Sequence, residues 1–356
     1  MIEAREHIAH MAPYALAKMG AAGSISLAEN ESTFGPSRSL ISAGLSAASA
    51  AHLYPDPEWS DLREAIAEVQ GLAADGILCG AGSMELIGAL IRALCGPNDE
   101  VIGSEYGYLF VATACAQTRA KYTRTPEANF CVSVEAILDR ITPATKIVFV
   151  CNPGNPTGTR ISNPDLCHLR TKLPDRVLLI VDQAYAEFDD QDHRPIFDLV
   201  DGSRTVVTRT FSKAYGLAGA RVGWGYFPAR IASEVRKLLN PNNISTISQA
   251  MAAAAMQDQG RMRQVVAETA LRRDALSHRL RQAGYAIPES HTNFVLIQFA
   301  SPKKAELADR DLRSKGLILR AMRGYGLPHC LRATIGEQPA MDRVADILIS
   351  LKDATS

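Results

Sequence analysis

Residues 208–223 read Thr-Arg-Thr-Phe-Ser-Lys-Ala-Tyr-Gly-Leu-Ala-Gly-Ala-Arg-Val-Gly. One short glycine-bearing loop thus carries an amine (Lys213), two hydroxyls (Thr210 and Ser212) and a cation (Arg221). A lysine that holds an aldehyde cofactor as a Schiff base needs an anion site close by for the cofactor's phosphate. Small hydroxyl residues and an arginine supply one. The plain alternative is a surface lysine in a polar turn.

Working outward, the loop follows a short apolar run, Thr205–Thr208, and similar runs recur upstream. These are Ile77-Leu78-Cys79, Val101-Ile102, Lys146–Cys151 and Val177–Val181, each followed by a loop or a helical pattern. Residues 58–70 place Leu62, Ile66 and Val69 on one helical face, and Leu86, Ile87, Leu90 and Ile91 do the same after Gly80-Ala81-Gly82-Ser83. Apolar strands separated by helices predict an α/β fold with a mainly parallel sheet covered on both faces. Past Pro241 the texture changes to a long Ala/Met/Arg-rich helical region (248–283). Strand candidates follow at Asn293–Ile297, Gly316–Leu319 and Leu331–Ile335, which predicts a smaller α+β lobe. The expected division is an N-terminal arm (1–36) that packs with the small lobe, a large cofactor-binding domain (37–245) and a small C-terminal domain (246–356).

The chain has 356 residues, beyond the usual size of a single core, so two lobes are expected. Its 38 basic and 38 acidic residues balance, which argues against nucleic acid or an anionic membrane as the main partner but not against a small anionic ligand. Seven scattered cysteines without a CxxC pair suggest reduced thiols rather than a disulfide frame or a metal site. There is no apolar signal core at the N-terminus and no apolar run of membrane-spanning length, so the expected location is cytoplasmic.

Four further segments carry chemistry. Gly80–Glu85 is a glycine-rich strand–helix turn whose backbone N–H groups suit a phosphate, although such turns also exist for backbone reasons alone. Asn152-Pro-Gly-Asn-Pro-Thr-Gly-Thr159 makes a sharp loop at a strand's C-terminal end, where open α/β sheets bind ligands; Asn155 there could donate to a ring oxygen. Asp182, at the end of an apolar strand, must find a cation or strong donors. A protonated pyridine nitrogen is one such partner and would make the ring an electron sink; a protein arginine is another. Tyr185 could donate to the ring's phenolate oxygen. Arg320 and Arg332 sit in apolar strand-like runs, so each needs an anion, either a ligand's carboxylate or phosphate or an internal acid.

Together these segments resemble the fold-type I pyridoxal-phosphate enzymes, and most closely the histidinol-phosphate aminotransferase family. The resemblance spans Leu27–Glu31 with Gly35-Pro36-Ser37, Tyr54-Pro55-Asp56, Gly80–Glu85, Asn152–Thr159, Asp182–Tyr185, Phe211–Gly219 with Arg221, Asn293-Phe294, and Gly324–Pro328 before Leu331-Arg332. It implies a mainly parallel, seven-stranded type of sheet between helices, with Lys213 as Schiff-base lysine and general acid/base. Asp182 would lie on the pyridine nitrogen, Asn155 and Tyr185 on the ring oxygen, and Tyr106 stacked on the ring. Gly82, Ser83, Thr210, Ser212 and Arg221 would hold the cofactor phosphate. Tyr54 would reach the phosphate from a neighbouring subunit, which implies a homodimer with shared active sites. Tyr14, Asn30, Arg320 and Arg332 would bind substrate.

The activity so implied is a ping-pong aminotransferase that uses pyridoxal 5'-phosphate to move the amine of histidinol phosphate to 2-oxoglutarate. No metal is called for. An aromatic amino acid aminotransferase and a phosphothreonine-type decarboxylase are the alternatives. The effector-binding half of a regulator would need an attached basic helix-turn-helix, for which the expected domains leave no room. The chain departs from the family pattern at Glu29 (after Ala28), Met84 and Gln183, where small or polar residues, aspartate and glutamate are more usual.

Overall fold

A computed structural model describes residues 2–12, 23–201 and 204–353. Its large sheet has seven strands, in the order Ile77–Gly80, Gly223–Tyr226, Thr205–Thr210, Leu178–Asp182, Thr145–Cys151, Glu100–Ser104 and Lys121–Thr125. Only Gly223–Tyr226 runs against its neighbours. The strands Leu178–Asp182 and Thr205–Thr210 are buried throughout, as expected where helices cover both faces. The edge strand Lys121–Thr125 instead exposes Lys121 and Arg124, charges that discourage pairing with another chain.

Two of the seven strands carried no usable sequence signal. Lys121–Thr125 is polar because it is an edge, and Gly223-Trp-Gly-Tyr226 contains two glycines that a strand normally avoids. The packing requires both glycines. A Cβ on Gly223 would stand 2.2 Å from the Ser83 backbone nitrogen and 2.6 Å from the Gly82 carbonyl carbon, and one on Gly225 would stand 2.9 Å from the Val207 carbonyl oxygen. Gly223→Ala is therefore expected to destabilise the fold by about 3 kcal/mol, since backbone rather than a flexible side chain must give way. The change is read as a lowered midpoint in urea at unchanged slope.

A four-stranded sheet forms the second lobe, in the order Ile25–Leu27, Leu317–Ala321, Cys330–Thr334, Phe294–Gln298. Ile25–Leu27 pairs in parallel with Leu317–Leu319, so this piece of the N-terminal segment is part of the C-terminal lobe's sheet. Leu27, Val295, Leu319, Leu331 and Leu348 share one hydrophobic cluster, separate from the larger one around Trp59, Trp224 and Phe211.

The boundary expected at residue 246 falls inside the larger cluster. The helix Thr246–Gln257 buries Ala252, Ala255 and Met256 there, against the helices Arg38–Ala48 and Ser60–Gln70. The helical region read as 248–283 is likewise two helices. Asp258 leaves helical geometry (φ −88°, ψ 57°) and its carboxylate accepts the Arg261 N–H, which caps the second helix, Gln259–Gln282. Composition does not show a break when the capping residue stands inside an otherwise continuous helical pattern.

Candidate active site

Parallel strands end together, so Cys151, Asp182 and Thr208 lie side by side in register, Cys151 opposite Asp182 and Asp182 opposite Thr208. Beyond these ends a cavity of about 480 Å³ opens between the two lobes. Gly82, Ser83, Asn155, Asp182, Tyr185, Thr210, Ser212, Lys213 and Arg221 line it from the large lobe. Asn30, Arg320 and Arg332 line it from the other side.

At one end is an anion cradle. Gly82 is the N-cap of the helix Ser83–Leu94, at φ +79° and with no side chain capping the first turn, so that turn's N–H groups have no side-chain acceptor. A Cβ on Gly82 would stand 2.5 Å from Arg221 Nη2; the glycine lets a guanidinium and the helix start share one spot. Arg221 itself holds a left-handed backbone (φ 55°), an unfavourable conformation for an arginine that places its side chain there. Its Nη1 donates to Ala218 O (3.0 Å) and, at 3.5 Å, to Ser212 Oγ; Thr210 Oγ1 donates to Ser212 Oγ at 3.0 Å. Two hydroxyls, one guanidinium and a helix N-terminus make a donor set for a phosphate.

At the floor is Asp182, 3% exposed. Its Oδ1 accepts from Thr208 Oγ1 (2.8 Å), and Cys151 Sγ lies 3.9 Å from Oδ2. No arginine bonds it among the described residues. Burial pushes its carboxyl up to about 6, with Thr208, Cys151 and the Lys213 charge pulling the other way.

The amine of Lys213 stands 6.0 Å from the Tyr185 ring centroid and donates to Glu29 O at 3.2 Å. Desolvation, and then the Arg332 charge, bring it down to about 8. The Tyr185 hydroxyl accepts from Asn30 Nδ2 (2.8 Å), while Asn30 N donates to Thr334 Oγ1 (3.0 Å). Asn30 therefore ties the cavity floor to the small-lobe sheet, and its amide is already used by Tyr185.

Arg332 donates to Asn155 Oδ1 (2.5 Å) and Ala28 O (2.7 Å), and its guanidinium lies over Phe294 at 5.1 Å. It is buried, and its Nε has no partner in the described structure. Neither acceptor is charged, so among the described residues this is a buried cation without an anion. Arg320 differs: its Nη1 is paired with Glu29 Oε1 at 2.9 Å.

Several expected positions move. Tyr106 does not line the cavity; it packs on Phe130 (5.7 Å), and its N–H donates to Glu127. Tyr108, the N-cap of the helix Leu109–Thr118, lines the cavity instead. Two tyrosines flank Gly107, and only side-chain direction separates them. Tyr54 is 87% exposed and off the cavity within this chain. Tyr14 lies outside the described residues. Met84 and Glu29 line the cavity; Gln183 does not, since it accepts from Arg209 Nε (3.2 Å) and Nη2 (3.0 Å) beside the Phe197 and Trp224 rings. Tyr325, buried beside Gly326, also lines the cavity, and its sequence surroundings carry no sign of that position.

A Lys–Asp pair beside a phosphate cradle at the end of a parallel sheet is the arrangement of an aldehyde-cofactor enzyme, and residues 22–348 match the family described as aminotransferase class I and II. The chain belongs to that family. The histidinol-phosphate aminotransferase of Jannaschia sp. (strain CCS1) is 41% identical over 333 residues, covering 93% of this chain and 92% of that one. The protein of the same name from Cereibacter sphaeroides (strain KD131 / KCTC 12085) is 39% identical, covering 94% and 92%. The crystal structure of histidinol-phosphate aminotransferase from Sinorhizobium meliloti in complex with pyridoxal-5'-phosphate matches with a TM-score of 0.88 at 29% identity, covering 94% and 92%.

Proposed function

We propose that this chain is a pyridoxal-phosphate-dependent aminotransferase that takes the amine of histidinol phosphate and passes it to 2-oxoglutarate by a ping-pong mechanism. The observation that carries it is the cavity itself: an unpaired buried carboxylate, an amine of lowered basicity and a phosphate cradle face one space. The relatives at about 40% identity supply the donor.

Bound there, pyridoxal phosphate supplies a carbonyl carbon that amines attack and a conjugated ring that accepts the electron pair left by a departing α-proton. The residues do the rest. The Gly82 and Ser83 amides, Thr210, Ser212 and Arg221 hold the phosphate. Asp182 keeps a proton on the ring nitrogen, Tyr185 and Asn155 hold the phenolic oxygen, and Tyr108 takes the stacking role expected of Tyr106. Lys213 Nζ, of lowered basicity in the cavity, would act as the base that takes the donor's α-proton and as the acid that gives it back. Arg332 meets the α-carboxylate of the oxo acid and, with Arg320 and Tyr14, the phosphate of the donor.

The reading includes a homodimer with shared active sites. Ile41 and Leu45, one turn apart on the helix Arg38–Ala48, are exposed together with Leu53 and Tyr54. Such an apolar surface suits a second copy, whose Tyr54 would then reach the cradle. Separately, no helix among the described residues is long and apolar enough to cross a membrane.

Assaying histidinol phosphate, phenylalanine and phosphothreonine as donors tests the proposal; phosphate-free phenylalanine outpacing histidinol phosphate would overturn it in favour of the aromatic reading, which the Glu29–Arg320 pair favours. A pH prediction follows from Lys213. Only the unprotonated amine attacks an aldehyde, so cofactor uptake by the apo-protein should accelerate as pH rises from 7 and level off above about 8. An ordinary lysine would go on accelerating beyond pH 10. Stopped-flow absorbance after mixing reads the profile.

A further inference from the structure

The chain treats its two cavity arginines unequally. Arg320 and Arg332 stand opposite each other on the antiparallel strands Leu317–Ala321 and Cys330–Thr334. Like charges in that relation repel, so each guanidinium needs compensation. The acceptors on Arg332 are the neutral oxygens of Asn155 and Ala28, whereas Arg320 has a carboxylate, Glu29. Register brings the two near each other: Leu27 is aligned with Leu319, so the chain leaving that strand passes Ala28 level with Arg320 and Glu29 one residue beyond, within reach of the guanidinium. The Glu29 carbonyl oxygen also accepts from Lys213, which fixes this backbone next to the reacting amine while the side chain lies on the arginine. The Arg320 side chain is 13% exposed and that of Glu29 45%, so Glu29 is the partner that can turn into water without loss of solvation.

We propose that Glu29 is a specificity-determining residue: an internal carboxylate that occupies Arg320 and must be displaced by any donor with an anionic distal group. A phosphate, with two charges and three oxygens, outcompetes one carboxylate; a singly charged carboxylate exchanges like for like; an uncharged ring leaves the pair in place. Glu29 thus weakens the site for every anionic distal group by the same displacement cost and leaves an uncharged ring unaffected. The choice of histidinol phosphate below rests on the function proposed above, but the electrostatic claim does not.

The test compares wild-type and Glu29→Gln holoenzymes, with inorganic phosphate as competitive inhibitor against whichever donor the enzyme turns over. The inhibition constant should fall about tenfold in the variant, and KM for histidinol phosphate should fall with it, while KM for phenylalanine stays within about twofold. An unchanged or raised phosphate inhibition constant overturns the proposal. In Arg320→Ala and Glu29→Gln/Arg320→Ala enzymes the gain should vanish; a gain that persists without Arg320 also overturns it. A wild-type enzyme indifferent to histidinol phosphate sinks the proposed substrate, and the phosphate inhibition constants still decide the role of Glu29.

Discussion

Lys213→Ala is expected to lower turnover by a factor on the order of 10⁴ or more, the largest loss available from a single side chain in this site. No neighbour can take its place. The other cations on the cavity, Arg221, Arg320 and Arg332, are guanidiniums that do not give up a proton near neutral pH. Tyr185 is buried and its hydroxyl is pushed well above its usual range. The variant should still fold, because removing a desolvated amine relieves a cost rather than creating a cavity in the core. It should also still bind cofactor without a covalent link, since the Gly82–Arg221 cradle is untouched. Borohydride reduction followed by peptide mapping makes the comparison: label on the peptide containing Lys213 in the wild type, and none in the variant. Label on any other lysine, or activity above about 1% of wild type, would remove Lys213 from its role.

Asp182→Asn is expected to cost about 10³ in kcat/KM, the scale of losing one preorganised charge opposite a developing one. An amide fills the same space and can keep the Thr208 contact, but it cannot hold a proton on a ring nitrogen. The apo-protein should respond in the opposite sense. The folded-state pKa of Asp182 is raised to about 6 from 3.8, so its contribution to stability is present below pH 3.8 and is lost as pH rises through about 6. Above pH 6 the apo Asp182→Asn protein should therefore melt at a higher temperature than apo wild type, and the gap should close toward pH 4. Added cofactor should stabilise wild type more than the variant, which reverses the order. Scanning calorimetry of apo and loaded proteins at pH 4, 5.5 and 7.5 reads both effects. A variant active within about tenfold of wild type, or an apo stability difference independent of pH, would contradict the assignment.

Much of this site was readable in sequence because its groups sit at strand ends. The chain must bury Leu178–Val181 and then expose Asp182 to a ligand, and the same logic places Asn152–Thr159 and Thr210–Lys213. These three apolar runs thus announced their chemistry one or two residues later. Side-chain direction was not readable. Tyr106 and Tyr108 have similar sequence surroundings, yet one packs on Phe130 and the other lines the cavity. The arginines in apolar strands were recognised as needing anions, but which anion depends on the alignment of Ile25–Leu27 with Leu317–Leu319, strands almost three hundred residues apart.

The sequence by itself determined the α/β organisation and the residues around Lys213, because apolar periodicity and local turn chemistry act over a few residues. Tertiary structure decided the helix break at Asp258, the glycine contacts at Gly223, the choice of Tyr108 over Tyr106 and the pairing of Glu29 with Arg320. Those outcomes depend on packing and on charges brought together across the chain, where the neighbours in space are not the neighbours in sequence.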